Sequence, residues 1–286
     1  MPVDFRIKLA GQNIAIAARF PYVKEYCRDY LTVEKPAFSV CITAEDIAFE
    51  REKSAREDQL EGHAVRHFSD AYLETLAVYR KIAVKLLEDN VLLFHGSAIS
   101  VDGVGYLFTA KSGTGKSTHT RLWRELFGER AVMVNDDKPL LRIGENGVTV
   151  YGTPWDGKHR LSTNLAVPLK AICILERGRE NRITPVTGRD AYPMLMQQSY
   201  RPDDAASMRK TMALVDRLGS SVSLYRLQCS MELEAAETAY KAMEPEAAET
   251  GHKAMKPEAA ENAYKAMEPE TAETAYMAMK ERKEKV

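Results

Sequence analysis

The stretch "TAKSGTGKSTHT", Thr109 to Thr120, constrains this chain more than any other. Gly113 and Gly115 permit a tight backbone path, Lys116 supplies a positive charge, and Ser117 supplies a hydroxyl. Consecutive N–H groups turned toward one anion, a lysine that reaches terminal phosphates and a hydroxyl that holds magnesium make a phosphate-binding loop. Such a loop belongs between a strand and the N-terminus of a helix, whose positive end faces the anion. The flanks fit. "VLLFHGSAISVDGVGYLFTA" reads as strand, turn at Asp102-Gly103, strand, and "KSTHTRLWRELFG" as a helix ending at Gly128. One position departs, because the residue opening the loop is Ala110 rather than glycine. Ser112, Gly113, Thr114, Gly115, Lys116, Ser117 and Thr118 are the expected phosphate-binding residues.

Around this loop the chain alternates strands and helices, so an α/β fold is expected. "DFRIKLAGQNIAIAARF" reads as a hairpin, "PYVKEYCRDYL" as a short helix, and "AFSVCITA" as a strand. "REKSAREDQLEG" is polar and charged and reads as a loop. "SDAYLETLAVYRKIAVKLLEDN" has apolar residues at helical spacing, with Ser69 or Asp70 as its cap. Further on, "PLLRIGENGVTVYG" reads as a hairpin, "VPLKAICILERG" and "SLYRLQCS" as strands, and "DDAASMRKTMALVDRLGSS" as a helix.

The strand "AVMVNDD" ends in Asp136-Asp137. A carboxylate at the end of a buried strand, following a phosphate loop, is placed to hold magnesium. Two adjacent acids allow a division of labour, one holding metal and the other accepting the proton of an attacking hydroxyl. Either acid can take either role at this level, and Ser117 with Asp136 is the expected metal pair. "YGTPWDGKHRLSTN" is poor core material and good active-site loop. Trp155, Asp156, Lys158, His159 and Arg160 are its candidate substrate contacts. The tryptophan either packs on a base or anchors the loop.

The run "FHGSAISVDGVGYLFTAKSGTGKST…VMVNDD" resembles the catalytic domain of the HPr kinase/phosphorylase family. The glycine-lysine core is also similar to phosphoenolpyruvate carboxykinases. The resemblance spans roughly Val91 to Asp137. It implies a phosphoryl-transfer enzyme that uses ATP and Mg2+, with an alcohol group as acceptor. It implies further that Lys116 and Ser117 bind phosphates and metal, that Asp136 and Asp137 share metal and base work, and that His95 lies beside them. The segment "ITPVTGRDAY" is similar to one that approaches the phosphates, which would bring in Arg189. Ala110 departs from the family pattern, and so does the 151–164 loop, which puts the usual protein substrate in doubt. Members of the family act as oligomers, so a homo-oligomer is implied.

The chain's 286 residues carry a net charge of −1, which gives no basis for a nucleic-acid or membrane surface. Four scattered cysteines form no CxxC pair, and His63 and His67 lack a third ligand nearby. No run approaches the roughly 18 apolar residues of a membrane span, and no signal peptide is visible, so a cytoplasmic protein is expected. From Ala239 a 12-residue unit recurs at Gly251, Ala263 and Ala275, with Pro245, Pro257 and Pro269 in phase. The expected organisation is an N-terminal α+β region at 1–90, a P-loop kinase core at 91–238, and a helical or partly disordered tail at 239–286. The expected function is ATP- and Mg-dependent transfer to a hydroxyl of a small protein, peptide or small molecule. An ATPase or nucleotide switch, an interaction protein working through its tail, and a carboxykinase are the alternatives.

Overall fold

The computed structural model describes residues 3–60, 62–157 and 159–244. The repeats beyond 244, and Lys158, lie outside them. β1 (Val3–Leu9) and β2 (Gln12–Ala18) form an antiparallel hairpin. Its turn residues Ala10 and Gly11 both have positive φ, 46° and 74°, the conformation that matches the twist of two flanking strands. α1 (Pro21–Tyr26) follows, and β3 (Phe38–Cys41) then pairs parallel to β2.

The polar segment read as a loop belongs to a 17-residue helix, α2 (Ala44–Leu60). Thr43 and Asp46 cap it reciprocally, each backbone N–H donating to the other's side chain at 2.9 and 3.4 Å. The helix presents charge rather than an apolar stripe to its neighbour α3 (Asp70–Leu86). Arg80 donates to Glu50 and Asp46, and Lys81 to Asp46. Its partners lie 30 or more residues away, so periodicity could not reveal it. α3 begins at Ser69, whose hydroxyl accepts the Tyr72 N–H, and buries Leu73, Ala77, Val78, Ile82 and Leu86. His63 and His67 fall between the two helices, outside either.

The remaining strands form one nine-stranded sheet. They are β4 (Val91–Leu93), β5 (Ser97–Val101), β6 (Val104–Thr109), β7 (Ala131–Asn135), β8 (Leu140–Ile143), β9 (Val148–Tyr151), β10 (Ala166–Arg177), β11 (Arg182–Pro185) and β12 (Ser223–Cys229). The order runs β4-β8-β9-β10-β6-β5-β7. β10 pairs antiparallel with β9 through Ala166–Leu169, then parallel with β12 from Ala171 onward, while β6 lies parallel along it. This change of partner curls the sheet. α4 (Lys116–Phe127), α5 (Gly188–Gln198), α6 (Ala205–Ser221) and α7 (Leu233–Met243) complete the fold, which is mixed α/β.

The expected boundaries at 90 and 238 do not divide this body, because residues up to Glu244 make one compact unit. Ile7, Ile14, Ala77 and Ile82 share a core with Val91, Leu140 and Trp155. α7 runs through position 239 and buries Ala235, Ala236, Ala239 and Met243. Among the described residues, no helix is long and apolar enough to cross a membrane.

Candidate active site

β6 delivers the glycine-rich loop and α4 leaves it, as the flanking patterns require. Gly113 and Gly115 take φ of 72° and 120°, a region that side-chain-bearing residues seldom enter. Ala110 has no such φ. It is fully buried among Phe108, Leu122 and Trp123, so its methyl is core and no glycine is needed there. α4 begins at Gly115 with no side-chain cap, which leaves its first-turn N–H groups facing outward as an anion cradle. From the far side, Arg177 at the end of β10 donates to the carbonyls of Gly113 and Thr114. Sequence reading missed Arg177, which stands more than 60 residues from the loop.

The two acids stand beside this cradle in different settings. Asp136 is buried, and its Oδ1 accepts a 2.6 Å hydrogen bond from Ser97 on β5. Ser97 also meets the Thr120 hydroxyl at 2.8 Å, tying the acid to the first turns of α4. The other oxygen of Asp136 faces Gly157, where an added Cβ would lie 2.9 Å away. Asp137 is more open. His95 Nε2 stands 3.4 Å from its Oδ1, and Lys138 Nζ stands 3.6 Å from its Oδ2. Asn135 shapes the turn between them: its Oδ1 accepts the N–H groups of Asp137 and Lys138 at 2.9 and 2.7 Å. Its amide donates to Thr153 and to the Trp155 carbonyl. Ser97, Thr120, Asn135 and Gly157 were not anticipated. A serine directly after His95-Gly96 on a wholly buried strand, and an asparagine before the acid pair, were the available signals.

Electrostatics bind these groups into one site. Burial lowers the Lys116 pKa, and Asp137 and Asp136 oppose the fall. Burial also lowers that of His95, helped by Lys116 and opposed by Asp137. Lys116, His95 and the acid pair therefore share one local field. Its uncharged imidazole leaves His95 free to accept a hydrogen bond at neutral pH. The His95 backbone N–H donates to the Gln198 carbonyl at 2.7 Å, fixing the residue between β4 and the end of α5.

No family model matches the chain, and no curated protein matches it. Among solved structures, the Hpr(Ser) kinase/phosphatase from Coxiella burnetii aligns at 10% identity over 53% of this chain and 98% of that one. The TM-score is 0.28. That similarity is too low to carry an argument about chemistry, which rests on the residues themselves.

Other expected contributors fare differently. Trp155 is a core anchor rather than a base-stacking surface. Its ring stacks on Tyr79 with centroids 4.0 Å apart, and its Nε1 donates to the Thr75 carbonyl at 2.9 Å. Asp156 is half-buried and turned to the Ser162 N–H, and burial raises its carboxyl pKa. Arg160, at φ 47°, lies over the Tyr26 ring at 4.4 Å. His159 is exposed. The loop thus meets Asp136 through Gly157, while Trp155 and Arg160 lean on the N-terminal region. Arg189 sits exposed in the first turn of α5, at the opposite end of that 11-residue helix from Gln198. That separation is about 14 Å along the axis, so Arg189 does not join His95. No group of three or more metal-ligating His, Cys, Asp or Glu side chains occurs among the described residues.

Proposed function

We propose that the chain is an ATP- and Mg-dependent kinase that transfers the terminal phosphoryl group to a hydroxyl. The observation that carries the reading is the convergence of an uncapped helix N-terminus, Lys116, the Asp136-Asp137 pair and His95. An uncapped cradle that already points N–H groups outward suits phosphate oxygens. A buried acid with one oxygen held and the other facing a glycine suits a cation's single open ligand. Asp136 and Ser117 would hold Mg2+, which, when bound, offsets charge on the phosphate oxygens.

The chain's own groups then divide the work. The loop amides and Lys116 hold the β- and γ-phosphates and keep the γ-phosphorus in line with the acceptor. Asp137 accepts the hydroxyl proton as the new oxygen–phosphorus bond forms and the bond to ADP breaks. His95 and Lys138 flank that carboxylate and orient it. Asn135 fixes the turn on which both acids ride.

Incubation with γ-labelled ATP and Mg2+ against cell extract, separated into protein and small-molecule fractions, tests this. The wild-type chain labels an acceptor and Lys116→Ala does not. Phosphate release that is equally fast with no acceptor present would instead make the chain an ATPase.

A further inference from the structure

A cleft of about 250 Å3 opens between α2, α3 and the 200–203 turn. Phe49, Glu52, Lys53 and Arg56 come from α2, Arg80 from α3, and Tyr200, Arg201 and Asp203 from the turn. One of its walls is α2, whose 51–60 portion lies in the segment read from sequence as a loop.

The cleft adjoins the site through paired backbone. The His95 N–H donates to Gln198, Phe94 bridges Ser199, and the Tyr200 N–H donates to Leu93 at 2.9 Å. Tyr200 therefore stands two strand positions from His95, about 8 Å away by strand spacing. Four cations line the cleft against two carboxylates, Glu52 and Asp203. Arg80 is spent on Glu50 and Asp46, and its guanidinium lies 4.6 Å from the Phe49 ring. Lys53 lies 5.9 Å from the Tyr200 ring and 4.0 Å from Glu57. Arg56 and Arg201 have no ion-pair partner among the described residues, and they face the cleft from opposite walls. Two guanidiniums without ion-pair partners, in a cleft also lined by the rings of Phe49 and Tyr200, match a carboxylate or phosphate carried on an apolar stem.

We infer that this cleft is an acceptor subsite that seats an anionic group of the molecule whose hydroxyl reaches Asp137. The identity of the ligand as acceptor rests on the kinase reading, whereas the anion site itself does not. The step of about 8 Å between Tyr200 and His95 corresponds to roughly two to three residues of extended peptide at about 3.3 Å each. An acidic residue at that distance from a serine is the matching feature.

The test uses fluorescein-labelled peptides with one serine and either aspartate or alanine three residues away. Anisotropy with the full chain measures binding, and labelled ATP measures transfer. The aspartate peptide should bind about tenfold more tightly than the alanine peptide. Arg56→Ser/Arg201→Ser, at two exposed positions, should erase that margin and leave the KM for ATP unchanged. Equal binding of the two peptides to the wild type, or a margin that survives in the double variant, overturns the subsite. A margin in binding with no phosphate transferred to either peptide supports the subsite and overturns the kinase reading. Inorganic phosphate provides the second arm. Release of the aspartate peptide by micromolar phosphate assigns the cleft to a small phosphorylated acceptor, and release only through general ionic strength assigns it to a peptide.

Discussion

Ser97 donates a 2.6 Å hydrogen bond to Oδ1 of Asp136 inside the body of the protein. Removing a bond to a charged acceptor forfeits about 1.5–3 kcal/mol. Ser97→Ala should therefore lower kcat by roughly 10- to 100-fold, while the Kd for ATP without Mg2+ stays close to wild type. Loss of ATP binding in step with kcat would show Ser97 to be structural only. Asp136→Asn and Asp137→Asn give the reference losses, each of several orders of magnitude.

Gly157 lies against the other oxygen of that same acid. A Cβ at 157 would stand 2.9 Å from Oδ2, so Gly157→Ala must displace the carboxylate or the loop. A displacement of that kind should cost about tenfold or more in kcat. Circular dichroism and the urea midpoint should move little, because the residue is at most half-buried. Unchanged turnover would show that Asp136 tolerates the shift and does not act at that distance.

Arg177 donates to two carbonyls of the glycine-rich loop. Arg177→Ala should raise the KM for ATP by about fivefold, the scale of roughly 1 kcal/mol expected for exposed hydrogen bonds from a charged donor. The KM for acceptor should not change. A defect that falls on kcat alone would place Arg177 at the reacting phosphate instead.

His119 gives a pH signature. It is buried behind the loop, where its Nε2 accepts from Trp123 Nε1 at 3.1 Å, and burial lowers its pKa to about 3. The unfolded chain takes up this proton near pH ~6.5 and the folded chain does not. The neutral imidazole's contribution to stability is therefore complete above that pH and drains away as pH falls toward 3. His119→Gln keeps an acceptor for Trp123 and removes the titration. Between pH 7 and 4.5 its urea midpoint should fall less than that of the wild type, and parallel falls would refute the assignment.

What the sequence disclosed was local. The loop, its strand and its helix are contiguous, and Asp136-Asp137 end a strand whose apolar run is unmistakable, so both were legible. What it hid depends on distant partners. α2 exists because Arg80 and Lys81 meet its acids from the next helix, and no periodicity records that. Among its polar sequence neighbours, Trp155 could be read either as a platform for a base or as an anchor of the loop. Tyr79 and Thr75, nearly 80 residues earlier, make it core. Arg189 was brought in by the resemblance of "ITPVTGRDAY", but α5 carries it away from the end that touches His95. Ala110 seemed a defect in a pattern and is a buried methyl with ordinary backbone.

α7 lies along α4, where Tyr240 meets the rings of Trp123 and Phe127 at 5.7 and 4.6 Å. During synthesis, the helix that starts at the phosphate loop lacks its outer wall until residue 243 has left the ribosome. A nascent chain halted shortly before α7 has all the residues that would touch nucleotide, yet its Trp123 lacks Tyr240 and its Met243 is not yet made. The packing around α4 is thus completed late, by the last helix of the described residues.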